Sequence, residues 1–125
     1  MKIILASVER PKMTAHKIEL RIESPSGGKV LGYVVIGISE SRFLDLKNKF
    51  PDEGFKGQNP KVNEAIKEGI TEDEKRQIAQ HLGIWSNANF KFEFQTITRY
   101  VDEAKQHATF ESNGKKFWVF LHHRY

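Results

Sequence analysis

The chain of 125 residues contains no cysteine. This absence excludes disulfides, thiolate metal sites, iron–sulfur clusters and cysteine nucleophiles. Long apolar runs are missing as well. The longest one after the start, residues 30–38, contains two glycines and is far shorter than the ~20 residues that cross a bilayer. The apolar run near the N-terminus is too short for the core of a signal peptide. We therefore expect a cytoplasmic protein without a membrane segment.

Sequence motifs for cofactor and metal binding are also missing. The glycines in Gly27-Gly28 and at Gly54 and Gly57 lack the Lys-Ser/Thr that completes a phosphate-binding loop. The few serines do not lie in a nucleophile-elbow pattern, and no two histidines have the His-x-x-x-His spacing of a zinc-binding helix. The sequence predicts no cofactor and no metal site, which leaves histidine as the main candidate for any catalysis.

What the chain does contain suits a single domain over residues 1–125. A chain of this length can bury roughly two-thirds of the surface that its unfolded form exposes, so one core is sufficient. Hydrophobic residues make up 38% of the sequence, and nine phenylalanines are available to fill this core. Disordered and fibrous proteins do not have such a composition.

The charge of the chain is basic and unevenly distributed. Lys and Arg outnumber Asp and Glu by 20 to 16, and the pI is about 9.3. The excess lies in residues 1–50, with nine basic against five acidic residues, and in residues 86–125, with six against four. Residues 51–85 carry five basic against seven acidic residues. This balance permits binding to nucleic acid and disfavours a mimic of DNA, which needs a dense negative face.

The hydrophobic pattern predicts an α+β domain in the order βββ-ααα-βββ, with an antiparallel sheet of about six strands. Clean alternation of apolar and polar residues marks the strand over residues 15–23, and a more continuously apolar run marks the strand over residues 29–38. An i, i+3, i+7 spacing of apolar residues marks the first helix. The predicted strands are 2–9, 15–23, 29–38, 89–101, 106–111 and 116–122. The predicted helices run from Ser39 or Ser41 to about Phe50, from Asn59-Pro60 to Gly69, and from Thr71 to about Leu82.

Two features of the sequence mark the third helix clearly. Thr71 and Glu74 have the spacing of a capping box, in which each side chain bonds the other residue's backbone N–H. Gly83 supplies the left-handed residue that ends a helix, and Ile84 can close onto Ala79. The strand over residues 89–101 is less regular, because its alternation slips near Gln95. We expect a β-bulge there, or a strand shared between two sheets.

A hairpin near the C-terminus is the most informative segment. Asn113-Gly114 between two apolar runs is the strongest short signal for a two-residue turn, and such a turn determines the register of its strands. Continued from the turn, this register pairs Ser112 with Lys115, Glu111 with Lys116, Phe110 with Phe117, Thr109 with Trp118, Ala108 with Val119, His107 with Phe120, Gln106 with Leu121 and Lys105 with His122.

Alternation of side chains divides this hairpin into two faces. One face is apolar and predicts core, with Ala108, Phe110, Phe117, Val119 and Leu121. The other face interleaves aromatic rings with Lys and His, which is typical of a platform on which unpaired bases stack. The residues that we expect to contact nucleic acid are Arg99, Lys105, Lys116, Trp118, Phe120, Arg124 and Tyr125.

Two histidines on the second of these faces suggest that the protein could cleave RNA. In the predicted register His107 and His122 are diagonal neighbours, roughly 7–8 Å apart along the backbone. Cleavage of RNA without a metal needs one group that takes the 2′-OH proton and another that protonates the leaving oxygen, and two imidazoles suit this division. Arg99, Lys105 or Lys116 would stabilise the charge on the phosphorane.

Alternatives stay open for both the structure and the function. Trp118 and Phe120 could instead be core residues that the helices cover, and the histidines could be structural. The function that we expect first is binding of nucleic acid, RNA or single strands in particular. The second is a protein-binding inhibitor or adaptor of the mobile-element type, which acts on a host complex without enzymatic activity. The third is a metal-independent endoribonuclease that uses His107 and His122.

Overall fold

The computed structural model describes residues 12–51, 59–84, 90–95 and 105–122. Within these ranges the chain forms five strands and three helices. The strands are β1 (His16–Glu23), β2 (Val30–Ile38), β3 (Lys91–Phe94), β4 (Ala108–Ser112) and β5 (Lys115–Leu121), and the helices are α1 (Glu40–Lys49), α2 (Pro60–Glu68) and α3 (Glu72–Leu82). The predicted strand over residues 2–9 lies outside the described residues.

The five strands form one antiparallel sheet in the order β3-β1-β2-β5-β4. The predicted α+β class is thereby confirmed, with the three helices between the second and third described strands. Of the strand predicted over residues 89–101, the structure has β3, which ends at Phe94; the slip expected after Gln95 falls on residues outside the described ranges. No helix in the described ranges is long and apolar enough to cross a membrane.

The helices begin and end where the capping residues predict. The side chain of Ser39 accepts from the N–H of Arg42 at the start of α1, and that of Asn59 accepts from two backbone N–H groups at the start of α2. Helix α3 has the full capping box of Thr71 and Glu74. It ends at Gly83, whose φ of 72° is the left-handed conformation that glycine adopts without a steric penalty.

The register of the C-terminal hairpin is confirmed over the whole of β4. The pairs are Ser112 with Lys115, Glu111 with Lys116, Phe110 with Phe117, Thr109 with Trp118 and Ala108 with Val119. Asn113 and Gly114 both have positive φ, at 52° and 73°, as a two-residue turn between antiparallel strands requires. A local signal of two residues was sufficient here because the turn geometry leaves no freedom of register.

The main core lies between the helices and one face of the sheet. Alternate residues of β1, β2 and β5 supply its sheet side, and one apolar stripe from each helix supplies the other side. Its buried members include Leu20, Ile22, Val34, Ile36, Phe117 and Val119 from the sheet and Leu46, Val62, Ile66 and Ile78 from the helices. We call this side of the sheet the helix face and the opposite side the open face.

A buried carboxylate joins α3 to the hairpin turn. The side chain of Glu74 is 0% exposed, and its Oε1 accepts from the Thr71 backbone N–H at 2.9 Å and from Lys115 Nζ at 2.7 Å. Its Oε2 accepts from the side-chain amide of Asn113 at 3.1 Å. The ammonium of Lys115 also donates to the carbonyl of Gly69 at 2.9 Å. These residues, which we call the Glu74 network, hold the turn against the first turn of α3.

The Glu74 network also determines the protonation state of its carboxyl. Burial alone would raise the pKa of Glu74, but the hydrogen bonds from Lys115, the Thr71 backbone and Asn113 outweigh it and hold this pKa below its ordinary value. The carboxylate is therefore ionised in the folded protein. An ionised, fully hydrogen-bonded group stabilises the fold only while every partner is present.

Replacing Glu74 by alanine is expected to lower the free energy of unfolding by about 3 kcal/mol, because the substitution leaves the ammonium of Lys115 uncompensated in a largely buried place. Urea unfolding followed by circular dichroism measures this loss. The control is Glu72→Ala in the same helical turn, whose exposed ion pair with Lys75 should contribute less than about 1 kcal/mol. A Glu74→Gln/Lys115→Met double variant should recover part of the loss, and no recovery would contradict this explanation.

The stability that Glu74 contributes should depend on pH in a definite direction. A carboxyl whose pKa is lowered by folding stabilises the protein above its unfolded pKa, and this contribution disappears as the pH falls through its folded pKa. The difference in free energy of unfolding between the wild-type chain and Glu74→Gln should be constant above the ordinary value of 4.5 and shrink below it. Urea titrations at a series of pH values test this, and a difference that grows on acidification would contradict it.

Candidate nucleic-acid interface

The open face of the sheet carries the side chains that alternate with the core. Register and alternation place on it Lys17, Glu19, Arg21 and Glu23 from β1, Tyr33 and Val35 from β2, Thr109 and Glu111 from β4, and Lys116, Trp118 and Phe120 from β5. The two-face division that the hairpin sequence predicts is therefore present. This face includes Lys116, Trp118 and Phe120 from the set expected to contact nucleic acid.

Trp118 and Phe120 form a second, smaller core on the open face. Each ring is 2% exposed, and the cluster is completed by buried Val35 and half-buried Tyr33. None of the described helices contributes a residue to this cluster. The two rings are thus neither an exposed platform nor core beneath the helices, which were the two arrangements that the sequence suggested. Buried rings of this kind are not available to stack on a base.

The indole of Trp118 lies against the backbone of β2. Lys17 Nζ is 4.9 Å and Lys116 Nζ is 5.1 Å from the centroid of the ring. These two lysines share a row across the sheet with Gly37 between them. A Cβ at Gly37 would lie 2.0 Å from the carbonyl oxygen of Met13 and 2.9 Å from the indole. Lys116 is therefore engaged in a cation–π contact, and glycine is required at position 37 by close approach.

The two histidines are exposed, and both lie beyond the end of the regular ladder between β4 and β5. Pairing between β4 and β5 ends at Ala108 and Val119, and the N–H of His107 donates to the carbonyl of Val119 at 2.8 Å. The pairs that the sequence predicts beyond this point, beginning with His107 and Phe120, do not continue the ladder. The ring of His122 stacks instead on Tyr33, with centroids 6.1 Å apart and planes at 27°.

Tyr33 and Arg21 are the two site residues that the sequence pattern did not indicate. The pattern of residues 29–38 reads as a continuously apolar strand, which hides that Tyr33 and Val35 alternate with the core residues Val34 and Ile36. In the sheet Tyr33 is half-buried and lies opposite Arg21. A phenol, the exposed imidazole of His122 and a guanidinium are therefore neighbours at one end of the open face.

The guanidinium of Arg21 is held in place but stays accessible. Its Nε forms an ion pair with Glu23, and its Nη1 donates to the side chain of Gln95 at 3.1 Å. The hydrogen bond with Glu23 raises the pKa of Arg21 above its already high ordinary value. Since 36% of the side chain is exposed, the outer edge of the guanidinium can still meet a phosphate.

The rest of the open face is balanced in charge. Lys91 and Glu93 of β3 form an ion pair at 3.1 Å, and this hydrogen bond lowers the pKa of Glu93. Glu111 lies opposite Lys116. Because each of these cations has a carboxylate close by, the open face is not a patch of one sign. Arg21 is balanced in the same way by Glu23, so what this end of the face offers is the exposed outer edge of a guanidinium beside the aromatic pair of Tyr33 and His122.

The remaining candidates divide into two groups. Lys105 is exposed, as expected for a residue that contacts phosphate. Arg99, Arg124 and Tyr125 lie outside the described residues. In the described part of the chain, no group of three or more His, Asp or Glu side chains is placed to hold a metal ion.

Comparison with known proteins adds no assignment to this geometry. No family model, no curated protein and no solved structure matches the chain. The class that the structure itself defines is a small α+β domain with an antiparallel sheet, helices on one face and an aromatic cluster on the other.

Gly37→Ala should lower the free energy of unfolding by about 2–3 kcal/mol, because the new methyl group would overlap the carbonyl of Met13 and the indole of Trp118. Chemical denaturation measures the change. The matched control is Gly28→Ala, where the nearest atom to the new Cβ is 3.8 Å away and the change should stay within about 0.5 kcal/mol. Equal stability of the two variants would show that position 37 tolerates a side chain.

Proposed function

We propose that this protein binds single-stranded nucleic acid, RNA in particular, at the end of the open face formed by Arg21, Tyr33 and His122. The observation that carries the proposal is the stacked pair of Tyr33 and His122 beside the accessible guanidinium of Arg21. Unpaired bases stack on tyrosine and histidine rings, and guanidinium groups bind phosphates. The three residues together offer both contacts that a single strand needs.

This proposal moves the stacking role away from the buried rings of Trp118 and Phe120. In the proposed complex these rings support the site from below, since Phe120 is the cross-strand neighbour of Tyr33. The exposed Lys105 and His107 belong to the same end of the hairpin and would add phosphate contacts. Arg99, Lys116, Arg124 and Tyr125 stay candidate contacts from the sequence pattern alone.

The charges on the helices favour a single strand over a duplex as the ligand. A helix that enters the major groove presents Lys and Arg at the bases and the phosphates. Helix α3 opens instead with the exposed acidic residues Glu72 and Asp73, and in α1 the acidic Asp45 lies between Arg42 and Lys47. The overall excess of positive charge is favourable for any polyanion and does not choose between them.

The proposal is tested by fluorescence anisotropy with a labelled oligouridine at several salt concentrations. Affinity should fall as salt rises, because phosphate contacts release counterions. A Tyr33→Ala/His122→Ala variant should bind about tenfold more weakly, as expected when a stacking contact is lost. Arg21→Gln should reduce the salt dependence by about one phosphate contact.

The matched control is His81→Ala, which removes another stacked histidine. The rings of His81 and Phe110 are 5.6 Å apart at the same angle of 27°, but they lie on the helix side of the sheet. This variant should bind oligouridine as the wild-type chain does. Affinity that is independent of salt, or an equal loss in the control, would contradict the proposal.

The same experiment separates the two other functions. Cleavage of the oligonucleotide that is lost in a His107→Ala/His122→Ala variant, measured at a protein concentration that saturates the oligonucleotide, would indicate the endoribonuclease. No affinity for nucleic acid, together with one stoichiometric protein partner that survives nuclease treatment in a pull-down, would indicate the inhibitor or adaptor.

A further inference from the structure

A cleft of about 250 Å³ lies on the helix side of the sheet, opposite the open face. Residues of α1 and α2 form two of its walls, and the hairpin turn with the start of α3 forms the rest. The cleft is slightly smaller than the roughly 300–1,000 Å³ of sites for drug-sized ligands. A nucleotide would not fit within this cleft, whereas part of a small organic molecule would.

The inner wall of the cleft is apolar. Ile38, Leu46 and Ile66 belong to the main core and are 1%, 7% and 4% exposed, and half-buried Ala65 lies beside them. The small side chain of Ala65 leaves space that a larger residue would fill. An apolar part of a ligand would therefore replace water against this wall.

The outer wall carries donors that the fold has already positioned. Lys115 uses two of its N–H groups on Glu74 and on the carbonyl of Gly69, which leaves the third for a ligand. The hydroxyl of Thr71 accepts from the Glu74 N–H, so its own proton is free to donate. Both groups are held by the Glu74 network and need no rearrangement to bind.

Arg42 supplies the net charge of the cleft. The ammonium of Lys115 is neutralised by Glu74, whereas the exposed guanidinium of Arg42 forms no ion pair with any residue in the described ranges. Among the described residues, Arg42 therefore gives the rim of the cleft one positive charge that has no ion-pair partner. The planar fork of a guanidinium matches the two oxygens of a carboxylate, with which it forms two parallel hydrogen bonds.

We propose that this cleft binds a small monocarboxylic acid with an apolar body, such as an aryl-substituted acetic acid. The carboxylate meets Arg42, with Lys115 and Thr71 as further donors, and the body lies on Leu46 and Ile66. The complementary features are a single positive charge, an apolar wall and a volume suited to a small molecule. This site is independent of the nucleic-acid function proposed above.

The test is an NMR titration of the ¹⁵N-labelled protein with phenylacetate. Saturable shifts should appear at the backbone amides of Gly69, Thr71 and Asn113, with a dissociation constant in the millimolar range for so small a ligand. Acetate, which lacks the apolar body, and phenylacetamide, which lacks the charge, should each produce much weaker shifts at these amides.

Two variants and one control variant assign the binding to the cleft. Arg42→Gln should weaken phenylacetate about five- to tenfold, because a charged hydrogen bond is lost. Arg76→Gln is the control with the same change of charge, at an exposed arginine that pairs with Asp73, and it should bind as the wild-type chain does. Ala65→Leu, which leaves the charge unchanged, should also weaken binding because it fills the space.

Three results would overturn the proposal. The first is the absence of saturable shifts at the cleft, or shifts that map elsewhere on the protein. The second is equal binding of phenylacetamide, which would show that the charge plays no part. The third is an equal loss in Arg76→Gln and Arg42→Gln. Unfolding midpoints of all three variants show whether each one is folded during the titration.

Discussion

The carboxylate of Glu74 is the point at which the separate parts of this fold meet. It completes the first turn of α3, neutralises a lysine of β5 and binds the side chain of the hairpin turn. A charge in such a place is unfavourable unless all of its partners are present. This requirement fixes the position of the hairpin relative to the helices, and with it the walls of the cleft and the direction in which the two faces of β5 point.

The central role of β5 follows from its two faces. Phe117 and Val119 complete the main core with the helices, whereas Trp118 and Phe120 form the smaller core on the open face. Because β5 pairs with β2 on one side and β4 on the other, both cores depend on a single register. A shift by one residue would exchange the two sets of side chains. The Asn113-Gly114 turn excludes such a shift between β4 and β5, because it is compatible with one register only.

Local chemistry made most of the fold predictable from the sequence. Caps, the capping box, Gly83 and the hairpin turn act over a few residues, and each was found where the pattern indicates. The candidate site was harder, because it depends on contacts between distant strands. The pairing of Tyr33 with Arg21 and its stacking on His122 cannot be seen in a continuously apolar segment. The burial of Trp118 depends on its packing with Val35 of the neighbouring strand, which is equally distant in sequence. Lys115, the ion-pair partner of Glu74, could not be predicted for the same reason. The capping box accounts for Glu74 from local residues alone, so nothing in the pattern indicates a distant lysine.

The two hairpins are far apart in the sequence, and this separation affects the order in which the parts of the fold form. β1 with β2, and β4 with β5, are each joined by short turns, so they can form early from local contacts. The pairing of β2 with β5 must instead close a long loop that contains all three helices. The ion pair of Glu74 with Lys115 closes part of this loop, over 41 residues, and it forms only when α3 and the second hairpin are both in place. We therefore expect the docking of the two hairpins to be the slow, cooperative step of folding, because the loop-closure entropy is concentrated in that step.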